Sequence, residues 1–375
     1  MLPDRISLVS QISVASSSAL LPLFAFRMGA SPFEIGLILL SYNAANLLGA
    51  WIFGRYVDGW GAGTVLQIGL VCCTGAFFFQ ALAYDAASMM VVRFAAGFAA
   101  GMYPPALFTY SYETEGRLGP AVSLGAVGVG LGTVVAGLLD SAFLIFLMGG
   151  ALFGLTAIVS FRLPKIAHTP HLMPWVPLSV IKENAGLYLS VFIRHSGATA
   201  VWVIYPLFLA SLGASPWLIG LILGINFLFQ FLASWGLDRY RSSTLVHWGY
   251  ILSAVVFVGL ATATSLWWLP PFQALLGIAW SFLYVGAMRA VMEGNPEHGT
   301  ANGLLQSSFR LAGIIGPPLG GILATLGGYQ LSMWVAFGCC IAAEVTYLLT
   351  GRWQKLQGHP QPRELEGAPS SAMHG

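Results

Sequence analysis

The chain has 375 residues, of which 57% are hydrophobic and only 8% charged, with a formal net charge of +2 and a mean hydropathy of +0.77. Soluble domains charge roughly a quarter of their residues, so this composition excludes a water-soluble fold and makes lipid the solvent. The 45 glycines fit helices whose backbones approach closely inside a bilayer.

Apolar runs of about 20 residues, the length that crosses a hydrocarbon core, recur along the chain. The first begins after Arg5 and has the look of a signal peptide, but it has an uncleaved counterpart in mid-chain and is read as a span. Spans are expected near 6–26, 34–54, 64–84, 88–110, 120–140 and 142–162. A second set is expected near 185–210, 217–237, 245–264, 270–290, 303–325 and 329–350. Most connections are tight turns, such as Asp85-Ala86-Ala87 and Gly327-Gly328. The exception, 163–184, holds Pro164, Pro170, Pro174, Pro177, Lys165 and Lys182 and reads as a linker. The expected organisation is an N-terminal six-helix bundle (1–162), a cytoplasmic linker (163–184), a C-terminal six-helix bundle (185–350) and a disordered cytoplasmic tail (351–375).

Basic residues orient this map. With the N-terminus in the cytoplasm, inner loops and tail receive Arg55, Arg117, Arg162, Lys165, Lys182, Arg239, Arg241, Arg289, Arg352, Lys355 and Arg363, and the outer loops receive only Arg27. That is the positive-inside distribution, and an even number of spans puts both termini inside.

The two halves repeat each other. Residues 21–58 align without gaps to 205–242: Gly29-Ala-Ser-Pro32 falls on Gly213-Ala-Ser-Pro216, Ile35-Gly-Leu-Ile-Leu39 on Ile219-Gly-Leu-Ile-Leu223, Trp51 on Trp235, and Arg55-Tyr56 on Arg239-Tyr240. Six spans separate the copies, so both run the same way through the membrane, as in one recurring transporter architecture. On these grounds, and on Gly54-Arg-Tyr-Val-Asp58-Gly-Trp-Gly61, Arg93-Phe-Ala-Ala-Gly97-Phe-Ala-Ala-Gly101 and Gly313-Ile-Ile-Gly316-Pro317-Pro-Leu-Gly320-Gly321, the chain resembles the major facilitator superfamily. It departs from that family's signature loop at Ala62 and Gly63, where basic residues usually follow the second glycine. The resemblance implies an all-α membrane fold of twelve transmembrane helices in two parallel six-helix repeats. It also implies an interdomain latch at Gly54, Arg55, Asp58 and Gly61, with Glu113 or Glu115 in reach.

Charges inside spans are costly and usually face a cavity or a partner. Four stand there: Arg93, Arg194, Arg310 and Glu344. Arg310 and Glu344 lie at similar depth on adjacent antiparallel spans and are expected to pair. Arg93, near the outer end of the fourth span, is expected to reach the cavity, with snorkelling to the headgroups as the alternative. The family fold lines its cavity with spans one, four, seven and ten, so Gln11, Ser18, Arg93, Tyr103, Arg194, His195, Trp202, Tyr205, Trp280 and Tyr284 are candidates, with Asn43, Asn46, Asn226 and Gln230 flanking them.

Other chemistry is not supported. Gly97 and Gly101 read as helix packing, as does Gly128-Val-Gly130-Leu-Gly132, which has no preceding strand for a nucleotide fingerprint. The adjacent pairs Cys72-Cys73 and Cys339-Cys340 read as packing residues. No metal-ligand spacing, no phosphate-cradling loop and no nucleophile–base set is present, so neither a metal, a cofactor nor an enzyme activity is expected. The expectation is a monomeric secondary transporter in the plasma membrane that moves a small solute by alternating access, with no nucleic-acid partner. A proton-coupled exporter of amphipathic compounds comes first, on the Arg93 pattern. A uniporter or metabolite importer, and a non-transporting receptor on the same scaffold, are the alternatives.

Overall fold

The computed structural model describes residues 2–30 and 32–356, and these form helices and short connections without a strand. The helices are α1 (Leu2–Ala19, continued as Leu21–Arg27), α2 (Pro32–Trp60), α3 (Ala62–Phe79), α4 (Ala86–Glu115), α5 (Gly119–Leu139) and α6 (Ala142–Ser160). The second six are α7 (Leu178–Ser211), α8 (Pro216–Ser234), α9 (Ser242–Ala261), α10 (Leu269–Gly294), α11 (298–326) and α12 (329–356). The expected tail from 357 onward lies outside the described residues, and 351–356 extend α12.

Nine stretches pass a length-and-apolarity test for crossing a membrane. The bent pair in α1 adds a tenth, its 40° break falling just before Pro22, which has no N–H to continue the ladder. Leu218–Ser234 in α8 is short for the test. The run His298–Leu356 is two helices, because Gly327 and Gly328 leave helical geometry and Gly328 takes φ +75°. These corrections bring the count to the expected twelve.

Local chemistry sets the ends. Asp85 accepts from the backbone N–H of Ser88 at 2.8 Å, and the Ser88 hydroxyl accepts from the Asp85 N–H at 3.0 Å, which closes a capping box on α4. These Ser88 bonds hold the exposed Asp85 carboxyl below its ordinary pKa. α4 ends at Gly116 with φ +64°. The sequence repeat is carried into the backbone. Gly29 and Gly213, aligned in the repeat, have φ +86° and +87°, and both turns close with the same bonds: Ala30 N–H to Ala25 O and Ala214 N–H to Leu209 O, each at 3.0 Å.

Within the first half α2 packs on α4, α1 on α5 and α6, and α3 on α4 and α6; the second half packs α7 against α11 and α12, and α10 against α8 and α9. The halves meet along α2–α11 and α5–α8. Glycines permit the close crossings. A Cβ on Gly97 or Gly101 would overlap the Tyr42 or Asn46 carbonyl of α2, and one on Gly128 would overlap Leu8 O of α1. Both glycine runs are therefore packing faces. Cys73 and Cys340 are buried, and all four cysteines are free.

Residues 161–177 cross between the halves without regular helix. α7 begins at Leu178, earlier than the expected 185, because its first turns carry Lys182, Glu183 and Asn184 and are too polar to register as an apolar span. The linker is nevertheless fixed. Tyr110 Oη donates to Pro164 O at 2.8 Å, His171 N–H donates to Asp58 O at 2.8 Å, and Met173 is buried in an apolar cluster formed mainly by the second half with Phe108, Leu118, Ala121 and Val122 of the first. Below, "linker end" means the end of the bundle where this segment lies.

The glycine argument has a direct check. Gly97→Ala should sharply lower the folded yield in detergent, because its Cβ meets backbone that cannot yield. Gly75→Ala on α3, where nothing lies within 4 Å, should be neutral or gain up to about 1 kcal/mol. Thermal melts followed by gel filtration separate the two.

Candidate functional site

A cavity of about 500 Å3 opens between the halves, within the size range of small-molecule sites. α7 contributes His195, Ala198, Thr199, Trp202 and Tyr205, whose three- and four-residue steps put them on one face. Gln273, Trp280 and Tyr284 do the same on α10, and Gln306, Phe309, Arg310 and Gly313 on α11. The first half supplies Ser7 and Gln11 from α1, Asn43 from α2, Phe108 from α4 and the small-residue face of α5.

The wall of the second half is an aromatic ladder. The His195 ring lies on Trp280 at 4.9 Å and 28°, and Trp280 lies on Tyr284 at 5.2 Å and 18°. Phe309 meets all three, with ring centroids 5.1–5.3 Å away. Polar groups interrupt it. Gln306 Nε2 donates to Tyr284 Oη at 3.0 Å, and Gln230 Nε2 to Asn226 Oδ1 at 2.6 Å. Tyr205 Oη and the Gln273 side-chain amide are buried next to each other, and neither they nor the buried His195 Nδ1 have another hydrogen-bond partner among the described residues.

Two charges border the cavity, and they differ. Arg194 is 1% exposed and places Nε and Nη2 on Ser253 Oγ at 3.1 and 2.6 Å. Arg310 is partly buried, and no hydrogen bond or ion pair holds its guanidinium among the described residues. No Asp or Glu lines the cavity.

Gln11, Arg194, His195, Trp202, Tyr205, Trp280 and Tyr284 thus face one cavity, as do Asn43, Asn226 and Gln230. Other expectations are corrected. Arg93 does not reach the cavity and does not snorkel. It is 1% exposed inside the first half, where it donates to Gln80 Oε1 at 3.0 Å, Ser18 Oγ at 3.2 Å and Ser17 O at 3.4 Å, and covers the Tyr42 ring at 4.1 Å. The break in α1 frees the carbonyl that it binds. Tyr103 is 2% exposed and packs on Gly69 and Phe153, away from the cavity. Ser18 is tied to Arg93, and Asn46 is buried against α4. Arg310 and Glu344 do not pair: Glu344 bonds His247 on α9, while Arg310 faces the cavity. Position along a helix leaves the angle about its axis undetermined, and the two side chains leave their helices toward different neighbours. Sequence reasoning also missed Gln273, Gln306 and Phe309, which stand at helical steps from residues it did choose.

At the linker end the halves are latched. Asp58, at the end of α2, accepts from Gly299 N–H at 2.8 Å and Thr300 N–H at 2.7 Å, the first turn of α11. Asp238, just after α8, accepts from Leu118 N–H at 2.9 Å and Gly119 N–H at 2.8 Å at the start of α5. Each carboxylate caps a helix of the other half, where the free N–H groups and the helix dipole favour an anion. The expected position of Asp58 at the latch agrees with this geometry; Asp238 was overlooked because its loop lacks the motif's glycines. Gly54 packs against Gly299 and Gly303 with no space for a Cβ. Glu113 faces His298 across the halves at 3.5 Å. Arg55 instead bonds the linker, at Met173 O, and covers the Trp175 ring at 4.4 Å. Gly61 takes φ +85° as it turns into α3.

Comparison with known proteins agrees with this architecture. The profile described as Major Facilitator Superfamily matches residues 6–176 and 187–374. The chain is 26% identical over 196 residues to the multidrug resistance protein MdtG of Serratia proteamaculans, a match covering 49% of this chain and 46% of that relative, just under half its length. It is 22% identical over 352 residues to the quinolone resistance protein NorA of Staphylococcus aureus, covering 88% of this chain and 90% of that one. Among solved structures, the human organic anion transporter MFSD10 superposes with a TM-score of 0.78 at 15% identity, covering 92% and 98% of the two chains. The nucleoside transporter NupG superposes with a TM-score of 0.62 at 16% identity, covering 93% and 100%.

The position of Arg93 leads to an expected outcome. Leaving a buried polar group without its partner costs about 1–3 kcal/mol, and lysine cannot reach Ser17, Ser18 and Gln80 together. Arg93→Lys and Arg93→Ala should both lower membrane yield and melting temperature, with lysine intermediate. A lysine variant of normal stability would contradict the structural role.

Proposed function

Because the chain belongs to the Major Facilitator Superfamily, we propose that it is a secondary transporter that exports amphipathic organic solutes by rocking its two halves about the central cavity. The observation that carries this reading is the combination of a cavity lined by both halves with a latch at one end of it. A receptor has no need of a carboxylate latch on two symmetric helix pairs, whereas an alternating-access device needs a closure that can be broken. The residue assignment follows: Gln11, Arg194, His195, Trp202, Tyr205, Trp280, Tyr284 and Arg310 contact solute, and Gly54, Asp58, Glu113 and Asp238 hold the gate.

The linker end is assigned to the cytoplasm on the basic-residue bias, which makes this conformation closed inside. A cysteine at Arg27 should then react with impermeant reagent from outside, and one at Thr169 should not. The drive is proposed to be the proton gradient. No carboxylate lines the cavity, so the proton would have to bind elsewhere, and Glu344 with His247 is the membrane-embedded candidate. Uniport is the competing mode. Uptake of a fluorescent amphipathic dye into inverted vesicles, with and without an imposed pH gradient, decides between them: uptake indifferent to the gradient supports uniport, and no uptake in either case removes the transport reading.

The latch supplies a prediction of its own. Charge-assisted hydrogen bonds are worth about 1.5–3 kcal/mol each. Asp58→Asn keeps the shape but turns an amide donor toward one of the two N–H groups. The inward-open population should rise by roughly tenfold or more, at about 1.4 kcal/mol per decade. The readout is labelling from the linker side of a cysteine at Ser307, which in the closed form bonds Leu47 O across the halves. Asp238→Asn should act in the same direction, and the double variant more strongly.

A further inference from the structure

The cavity carries a chemical bias that the fold alone does not require. Arg310 is partly buried in its wall, and no other described side chain bonds or pairs with the guanidinium. It stands twelve residues into α11, about 18 Å from the linker end at 1.5 Å per residue. The hydrocarbon core is about 30 Å thick, so Arg310 sits near its middle, too deep for its side chain to reach either headgroup layer. The other buried guanidinium groups show what such a charge ordinarily requires. Arg93 has three acceptors and an aromatic face, and Arg194 has Ser253. With no carboxylate in the lining, the positive charges of Arg194 and Arg310 stand uncompensated within the cavity.

Next to Arg310 in sequence and in the wall is Phe309, which meets Trp280 and His195 edge-on. An aromatic body therefore meets an apolar, ring-lined wall one residue from a cation. Farther along, Tyr205 Oη and the Gln273 side-chain amide are buried next to each other, with no other hydrogen-bond partner among the described residues. Tyr205 is ten residues from His195 on α7, about 15 Å by helical rise. The site thus has a cationic point, an aromatic middle and a neutral hydrogen-bonding end.

We propose that the solute is an elongated aromatic organic anion whose acidic group binds Arg310, whose rings lie against Trp280 and Phe309, and whose far end meets Tyr205 and Gln273. This rests on the reading of the cavity as the transport site, and it narrows the solute to one charge class. A planar guanidinium fork matches a carboxylate or sulfonate through two parallel bonds, which an ammonium or a neutral amide cannot accept. A cationic amphiphile would bring a third positive charge beside two arginines with no carboxylate to receive it.

The test uses the purified full chain in detergent and three naphthalene probes of one shape: 1-naphthoate, 1-naphthamide and 1-naphthylmethylammonium. Binding is read at pH 7 by quenching of tryptophan fluorescence, with Trp202 and Trp280 in the cavity wall as reporters. The anion should bind on the order of 10–100-fold more tightly than the amide, and the cation least. Arg310→Gln, which breaks no bond in this structure, should lower naphthoate binding to the level of the amide. Arg310→Lys should restore part of it. Equal binding of the three probes by the wild-type chain, or preference for the cation, overturns the proposal whether or not any variant folds. Arg310-dependent naphthoate binding without vesicle uptake supports this site while removing the transport reading. Uptake of naphthoate that Arg310→Gln leaves unchanged overturns this proposal and leaves transport standing.

Discussion

Two aspartates placed on helix N-termini of the opposite half hold this conformation. Lipid gives the halves little hydrophobic reason to adhere, because its tails are as apolar as the helix faces. Closure at the linker end therefore needs directional bonds. Asp58 and Asp238 provide them at the first turns of α11 and α5, where backbone N–H groups have no intrahelical acceptor. The glycines are the geometric condition. Gly54, Gly299 and Gly303 bring α2 and α11 to backbone contact, and Gly119 does so for α5 against Ser234, so a one-carbon carboxylate stem is long enough to cross. Arg289 steadies the second latch by donating to Asp238 O at 2.7 Å and Tyr240 O at 2.8 Å.

Three arginines placed in apolar helices meet the cost of burial in three ways. Arg93 acts as a brace: it binds Ser17 O where α1 breaks, so a defect in one helix is repaired by a charge from another. This satisfies the freed backbone that a membrane interior does not forgive. Arg194 is held by Ser253, whose own Oγ donates to Gly249 O at 2.6 Å, which anchors α7 to α9 behind the aromatic ladder. Arg310 alone points into open space. The same residue type therefore reads as scaffold, support and binding group, and only the count of acceptors around each separates these roles.

That difference marks how far the sequence could be read. Span positions follow from the length of apolar runs, and the repeat from Gly29 and Gly213, whose left-handed turns require the residue type that the alignment exposes. Aromatic and polar positions on α7 and α10 were legible because helical spacing puts Trp202 with Tyr205 and Trp280 with Tyr284 on single faces. What was not legible is rotation about a helix axis and the identity of neighbours. Glu344 and Arg310 share a depth, yet α12 turns its acid to His247 on α9. Arg93 looked exposed to the cavity because nothing in a linear pattern says that α1 breaks toward it. Asp238 lacked a motif, since its role depends on a helix start 119 residues earlier in the chain. Hydropathy likewise hid the polar first turns of α7.

The linker explains the sequence's departure from its family pattern. Where basic residues usually follow the signature loop stand Ala62 and Gly63, and in the structure the linker lies beside them. His168 Nε2 and His171 N–H both meet Asp58 O, at 3.0 and 2.8 Å, and the His168 ring rests on Gly61. Lys165, His168 and Glu113 border a pocket of about 250 Å3 with Gly61, Ala62 and Gly63. Long basic side chains at 62 and 63 would compete with the linker for this space. The positive group near the loop, Lys165, comes instead from a segment that also reaches the other half, because Met173 is buried in a cluster formed mainly by that half while its carbonyl accepts from Arg55. A basic residue on α3 would move with the first half and leave the gate free. A linker engaged with both halves cannot follow both when they separate at this end. Under the proposed alternating access, opening would have to pull Met173 out of this cluster or break the bonds to Asp58, so the linker would add its own apolar contacts to the cost of breaking the two carboxylate latches.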